Sequence, residues 1–263
     1  MKASWQGYIA LGRLGIPVRL YAATQSIQPK FVQLHREDHS PVQRILECKA
    51  EQRPISIDDV VRGVEYEPGR YITLSERELE RTSPLPAKTI VITQFSNLDA
   101  VQPQYYEKPY YVVPGRGGER AYALMREVFV RTHMMAMAQV VLYGKEHIAA
   151  LRVEGDLLLL LVLRFAGELV PRDHIRTPSL TKPSPAEVEA LQAVVERFNG
   201  PFYMHDYHDE RAEYIRDLVE RKAKGLPMPR SERSKPQTTP EDDIVPILRD
   251  TLSERRLLPD DTA

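Results

Sequence analysis

The 263-residue sequence predicts a mainly β protein with helices: a barrel core followed by a helical segment. Three observations predict it. Residues 5–170 are filled by short apolar or alternating runs punctuated by glycine and proline turns, as sequential strands require. Strands and helices alternate little there, which argues against a doubly wound nucleotide fold. Clear helical spacing before the proline-rich connector 171–185 occurs in one stretch within 115–133, and otherwise beyond that connector.

Taken in order, "GYIAL", "GRLG" and "IPVRLYA" read as strand, turn and strand, with Pro17 at an edge or strand start. "PKFVQLHRE" predicts a further alternating strand, Phe31, Gln33 and His35 on one face and Val32 and Leu34 on the other. "EYEPGRYITL" is two strand halves joined by the turn Pro68-Gly69. Ser75 and Glu78 form a capping-box pattern ahead of a short helix. "KTIVITQF" and Tyr110–Val113 are strands, and the tyrosines between them read first as barrel packing. Tyr122, Met125, Val128 and Phe129 recur at helical spacing. "MAMAQVVLY" follows, then two strands across Glu154-Gly155-Asp156. The unbroken run Leu157–Leu163 predicts a strand buried on both sides, which a closed barrel with helices against it would supply. After the connector, Ser184 and Glu187 cap a helix with the stripe Val188, Leu191, Val194, Val195 and Phe198. A second helix over 209–224 carries Tyr214, Ile215, Leu218 and Val219 and stops at Gly225. From 226 the sequence reads as a flexible tail. It ends in an apolar segment, Ile244, Val245, Ile247 and Leu248, that predicts partner binding.

Composition excludes several classes. The single cysteine, Cys48, forms no intrachain disulfide and no cysteine-rich zinc site. The longest apolar run is far below the roughly 20 residues of a membrane span. With no secretory signal pattern at the start, the expected location is cytoplasmic. The formal net charge is only -1, yet it is unevenly spread. Residues 1–50 hold seven Lys/Arg against three Asp/Glu, and residues 107–182 hold eleven against eight. Residues 51–83 hold five against eight, and the two C-terminal stretches are also acidic. A basic face with acidic appendages is one way to read that distribution, and chance drift is the other.

The search for catalytic chemistry returns little. Neither "GRLGIP" nor "GRGGER" has the spacing or lysine of a phosphate loop, and no zinc-helix or nucleophile-elbow motif occurs. His205, Asp206, His208 and Asp209 form the one dense ligand-like set, which also fits a capped helix start. Cys48 has no histidine beside it in sequence and reads as an ordinary thiol. Neither a cofactor nor a metal is expected. The basic positions Arg13, Arg19, Lys30, Arg36, Arg44, Lys49 and Arg53, with Arg116 and Arg120, are the candidates for contacting a phosphate backbone.

Five segments then form an ordered set of motifs: "WQGYIALGRLGIPVRLYAAT", "GVEYEPGRYITLSERELE", "YYEKPYYVVPGRGGERAYALMRE", "KEHIAALRVEGDLLLLLVLRFAGEL" and "FNGPFYMHDYHDERAEYIRDLVERKAKG". In this order, over roughly 1–225, the chain resembles the prokaryotic Ku family, the DNA-end-binding proteins of bacterial non-homologous end joining. The first segment looks like the family's W-x-G-x-I-x-x-G-x-x-x-I-P-V-x-L-Y-x-A-T signature. The resemblance implies a non-enzymatic β-barrel core over 1–182 with an extended bridge within 30–83, a helical arm over 183–225 and a tail over 226–263. It implies a homodimeric ring around double-stranded DNA ends, and recruitment or stimulation of the ATP-dependent end-joining ligase at the nucleoid. Many members end in a lysine-rich tail, whereas residues 226–263 here are net acidic. Two rival readings remain open: a metal-dependent end-processing enzyme using Asp58 and Asp59, and an adaptor that binds only proteins through Ile244–Leu248.

Overall fold

The computed structural model describes residues 2–81, 85–86, 88–227 and 244–253. The chain divides into two compact units, one of Met1–Ser26 with Phe31–His174, the other of Ile27–Lys30 with Ile175–Ala263. In the first, β1 (Trp5–Leu11) and β2 (Leu14–Ala22) form a hairpin, with Trp5 opposite Leu20 and Leu11 opposite Leu14. Next come β3 (Glu47–Cys48) with β4 (Arg53–Pro54), and β5 (Gly63–Glu67) with β6 (Arg70–Thr73). Helix α1 (Glu76–Arg81) starts on a reciprocal cap: the Glu78 N–H donates to Ser75 Oγ at 3.3 Å, and the Ser75 N–H donates to the Glu78 carboxylate at 2.9 Å. Then follow β7 (Thr89–Asn97), β8 (Tyr106–Pro114), α2 (Glu119–Thr132), β9 (Met134–Leu142), β10 (Lys145–Glu154) and β11 (Leu157–Leu163).

Seven of these strands close a barrel in the order β1-β2-β8-β11-β10-β9-β7. Every ladder is antiparallel except the closing one, where β1 runs parallel to β7 with Tyr8, Ile9 and Ala10 opposite Thr89, Ile90 and Val91. Closure leaves no barrel edge for unwanted strand pairing. The glycine of the first motif follows from that closure. A Cβ on Gly7 would lie 2.1 Å from the Lys88 carbonyl oxygen and 2.4 Å from the Trp5 ring, so only hydrogen fits. Inside, the inward residues of the strands are withdrawn from water, among them Ile9, Ile16, Leu20, Ile90, Val112, Val140, Leu151, Leu158 and Leu160. Ala136, Ala138 and Ala149 supply the small volumes between them.

Helix α2 completes this core with Tyr122, Met125 and Phe129. The Tyr122 hydroxyl donates to the Val112 carbonyl and accepts the Leu158 N–H, each at 2.7 Å, so it joins β8 to β11 from within. Burial before all else pushes its phenol above the ordinary range. A second cluster lies on the outer side of the wall. There Met135, Ala150 and Leu163 are covered by the tyrosine-dense segment through Leu98, Val101, Tyr105 and Tyr106.

Two expectations need correction. Residues 31–36 form no strand: one isolated bridge, Leu34 opposite Pro41, holds a turn there, and Phe31 is 79% exposed. Their alternation has no sheet beside it within the described chain. Leu157–Leu163 is not buried on both sides. Leu158, Leu160 and Val162 face the core, while Leu157, Leu159 and Leu161 are half-buried on the outer face. A barrel wall covers one side of a strand and leaves the other to whatever packs outside.

In the second unit, α3 (Pro185–Arg197) begins at the capping box foreseen for it, the Glu187 N–H donating to Ser184 Oγ at 3.3 Å and the Ser184 N–H to the Glu187 carboxylate at 2.6 Å. Helix α4 (Glu210–Ala223) is capped by Asp209, whose carboxylate accepts the Ala212 N–H at 2.8 Å. The crossing segment Ile27–Lys30 belongs here because Arg216 donates to the Ile27 carbonyl at 2.8 Å and the Gln28 amide bonds the Asp209 carboxylate. Helix α5 (Ile244–Thr251) lies against α3. Most of the segment read as a tail linker, residues 228–243, falls outside the described residues.

Candidate nucleic-acid interface

Strand alternation fixes which cations can face a ligand. In β2 the inward residues are Ile16, Val18 and Leu20, so Arg19 and Tyr21 point outward. β8 lies beside β2 with Val113 opposite Arg19 and Tyr111 opposite Tyr21. Arg19 Nη2 reaches the Pro114 carbonyl at 3.4 Å, which draws its guanidinium toward the end of β8. The chain there turns tightly against β2. The Gly115 N–H donates to the Pro17 carbonyl at 2.7 Å, and a Cβ on Gly118 would lie 2.8 Å from that oxygen. This close approach is what "GRGG" provides, and it sets Arg116 and Arg120 at the same strand end as Arg19. Both are exposed.

Gly118 is the N-cap of α2 and offers no side chain to the first turn, whose free N–H groups and positive dipole end lie beside these arginines. Glu119 in that turn offsets part of the field. Arg13 occupies the tip of the β1–β2 hairpin and is exposed. Arg19, Arg116 and Arg120 therefore lie on segments that meet at this strand end, and Arg13 stands on the hairpin that bears Arg19.

The other candidates are distributed differently. Arg36 lies in the turn between His35 and Ser40, where the Asp38 carboxylate accepts the Ser40 N–H at 3.0 Å and bonds His35 Nδ1 at 2.9 Å. Arg44 Nη2 reaches the Gln33 amide oxygen at 3.5 Å. Lys49 follows β3. Arg53 is matched by Glu51 at 2.5 Å, an exposed pair that locally cancels its charge. Lys30 belongs to the second unit. Of the tail residues, Ile244 and Leu248 line a groove with α3, Val245 is half-buried, and Ile247 is 44% exposed.

Sequence reasoning missed one row. Tyr21, Tyr111, Leu159 and Arg152 lie opposite one another across β2, β8, β11 and β10, all on the outer face. Period-two alternation marks each as outward, but only register aligns them. The adjacent inward residue Tyr110 stays neutral at any ordinary pH, because burial, with a hydrogen bond to Tyr143, raises its phenol to about 12. It therefore adds no anion beneath this surface.

The sets that suggested enzymatic chemistry have structural duties. The Asp58 N–H donates to Ser56 Oγ, and the Asp59 carboxylate accepts the Ser56 N–H, so both aspartates close one short turn. Asp209 caps α4. Among the described residues no group of three or more His, Cys, Asp or Glu side chains could hold a metal ion.

A closed seven-stranded barrel with a basic outer end coincides with a known family pattern: the Ku70/Ku80 beta-barrel domain matches residues 10–190. The chain belongs to the prokaryotic Ku family. The non-homologous end joining protein Ku of Solibacter usitatus is 35% identical over 221 residues, which cover 84% of this chain and 82% of that one. Its counterpart in Opitutus terrae is 31% identical over 256 residues, 97% of this chain and 92% of that one. That of Pseudomonas aeruginosa is 36% identical over 225 residues, 84% and 77% respectively. The Ku match runs from residue 10 to 190 and therefore includes the barrel from the end of β1 onward, the 31–74 segment and the beginning of α3.

Proposed function

We propose that this chain binds double-stranded DNA ends without sequence preference, as a homodimeric ring, in non-homologous end joining. The observation that carries the reading is the state of residues 31–74. No residue of this segment is buried, although it is rich in apolar side chains: Ile57 is 69% exposed, Ile45 67% and Val61 70%. So many exposed apolar side chains in one segment are the mark of a protein interface. A second copy of the same segment is the occupant that two-fold symmetry provides, because identical surfaces can then cover each other. Family membership supports the same assembly.

The second support is the outer face bearing Arg19, Arg116 and Arg120 at its end. Guanidinium groups on strands and turns meet phosphates without reading base edges, which suits breaks of any sequence. Individually weak contacts suffice if a closed ring holds the duplex topologically. About ten such contacts would give a salt slope near -9. Recruitment or stimulation of the end-joining ligase, and action at the nucleoid in the cytoplasm, complete the proposal on the strength of the family resemblance. The role is that of a scaffold, in keeping with the structural duties of Asp58, Asp59 and Asp209.

Gel shifts of linear and covalently closed duplexes of one sequence, across a salt series, test this reading. Linear duplex is expected to bind and closed circles to remain free at physiological salt, while sedimentation gives a dimer. Equal binding to circles and linear DNA would overturn threading. A monomer at every concentration would overturn the ring.

A further inference from the structure

Helix α3 turns Val188, Leu191 and Val195 to one side, and all three remain half or more exposed in the presence of α5. α5 places Ile244 and Leu248 beside them, one helical turn apart, so that the two helices wall an open apolar trough. Its rim is polar, with Glu187 and Gln192 from α3. Ile244, Val245, Leu248, Thr251 and Leu252 are the partly covered positions of the α5 segment, which is the pattern of one helix face laid on a support. Ile247, at the edge of that face, is 44% exposed.

The length of α5 matters here. The eight described residues are fewer than the roughly 12–15 at which isolated helices hold in water, so the helicity of this segment depends on what it lies against. Pro246, in its first turn, has no N–H to lose there and fits a helix start. The support covers only part of one face. A short helix on a shallow apolar stripe is a contact that opens far more readily than a barrel strand.

We propose that α3 carries a helix-binding groove and that the chain's own segment Ile244–Thr251 occupies it in cis as a detachable cover. Any protein that reaches the α3 stripe through an amphipathic helix must displace α5, whose spacing of aliphatic residues at i and i+4 it would have to match. The tail is then a competitor built into the chain. The inference rests on contacts within the second unit and does not depend on how DNA is bound.

The test uses the full chain, a fluorescent peptide of residues 243–253, and the variant Ile244→Asp with Leu248→Asp, which detaches the cover. By anisotropy the peptide is expected to bind the variant at least tenfold more tightly than the unaltered chain. Adding Leu191→Asp to the variant removes that binding. Equal affinity for variant and unaltered chain, binding to neither, or binding that survives Leu191→Asp would each overturn the proposal. Hydrogen exchange on the unaltered chain is the independent measurement. The amides of α5 are expected to be protected yet to exchange at least a hundredfold faster than those of β2. Absence of protection would mean that α5 does not dock, and protection equal to β2 would mean that it does not detach.

Discussion

In β2, Ile16, Val18 and Leu20 are withdrawn from water, whereas Ile45, Ile57 and Val61 of the 31–74 segment, equally apolar, stand in it. Both regions are built from ribbons and tight turns. They differ in whether the second layer comes from the same chain. The barrel wraps its sheet on itself and closes it with α2, so every inward side chain has neighbours. The paired ribbons β3–β4 and β5–β6 have two strands each, too few for independent stability. Apolar content therefore measures how much surface is to be covered. It does not measure where the cover resides.

Damage to each region in turn should have opposite consequences. Leu160→Ala removes a fully buried side chain and is expected to cost about 2–5 kcal/mol in denaturant unfolding. Ile45→Asp with Ile57→Asp is expected to change the unfolding of dilute monomer by no more than about 0.5 kcal/mol, since exposed sites carry little stability. If the segment forms the proposed dimer, the same pair should abolish that dimer in sedimentation and end binding with it. A loss of monomer stability matching that of Leu160→Ala would show that the segment is packed within the single chain.

A smaller effect sharpens the account of the barrel interior. Tyr122→Phe leaves the Leu158 N–H without its 2.7 Å acceptor in a buried place, which costs about 1–3 kcal/mol. The same hydroxyl bears on pH dependence. Tyr110 and Tyr122 both have phenols raised by burial, so the folded state holds their protons more firmly than the unfolded chain does. For Tyr110 that stability is fully present below pH 10 and is lost as the pH rises through about 12, and for Tyr122 it is lost as the pH rises through its own raised value. Alkaline titration of the far-ultraviolet signal should therefore show unfolding in this window, and Tyr122→Phe should weaken its dependence on pH.

Next in size is the effect on DNA of the arginines at the β2–β8 end. Arg116→Gln and Arg120→Gln are each expected to flatten the salt dependence of end binding by about 1 in slope, without change in thermal stability. Arg53→Gln should flatten it less, because Glu51 already neutralises that guanidinium. Equal effects at all three positions would erase the distinction between the grouped arginines and those along the 31–74 segment.

Much of the barrel is legible in the sequence because alternation and turn chemistry are local. The β1–β2 hairpin, the Pro68-Gly69 turn, α2 and both capping boxes need only neighbours a few residues away. What is not legible depends on distant pairing. The parallel β1–β7 ladder joins residues some eighty positions apart, and the Tyr21–Tyr111–Arg152 row exists only because three registers agree. The alternation of residues 31–36 indicates a face to be covered, but a strand forms only when a partner ladder is at hand. Leu157–Leu163 misleads in the opposite direction. Its outward leucines signal burial on both sides, yet the wall leaves them only half-buried. Among the site residues, the chemistry of each arginine is plain from its type. The grouping of Arg19 with Arg116 follows from the contact of Gly115 with Pro17, which no spacing rule contains.

The smallest effect concerns a third kind of surface, the α3 stripe, which is partly covered by the chain's own α5 and so falls between the two extremes. Its stability should respond to local capping without disturbing the barrel. Ser184→Ala removes the acceptor for the Glu187 N–H and is expected to speed hydrogen exchange in the first turn of α3 about fivefold, the size of an ordinary cap. Hydrogen bonds from Ser184 hold the Glu187 carboxyl below its usual range. The cap is therefore intact above the ordinary carboxylate range and is lost as the pH falls through the lowered value. In the barrel, by contrast, neither change should alter the exchange of β2 amides. If acid loosened β2 together with α3, the two units would unfold as one, and the independence assigned to the α3 groove would have to be given up.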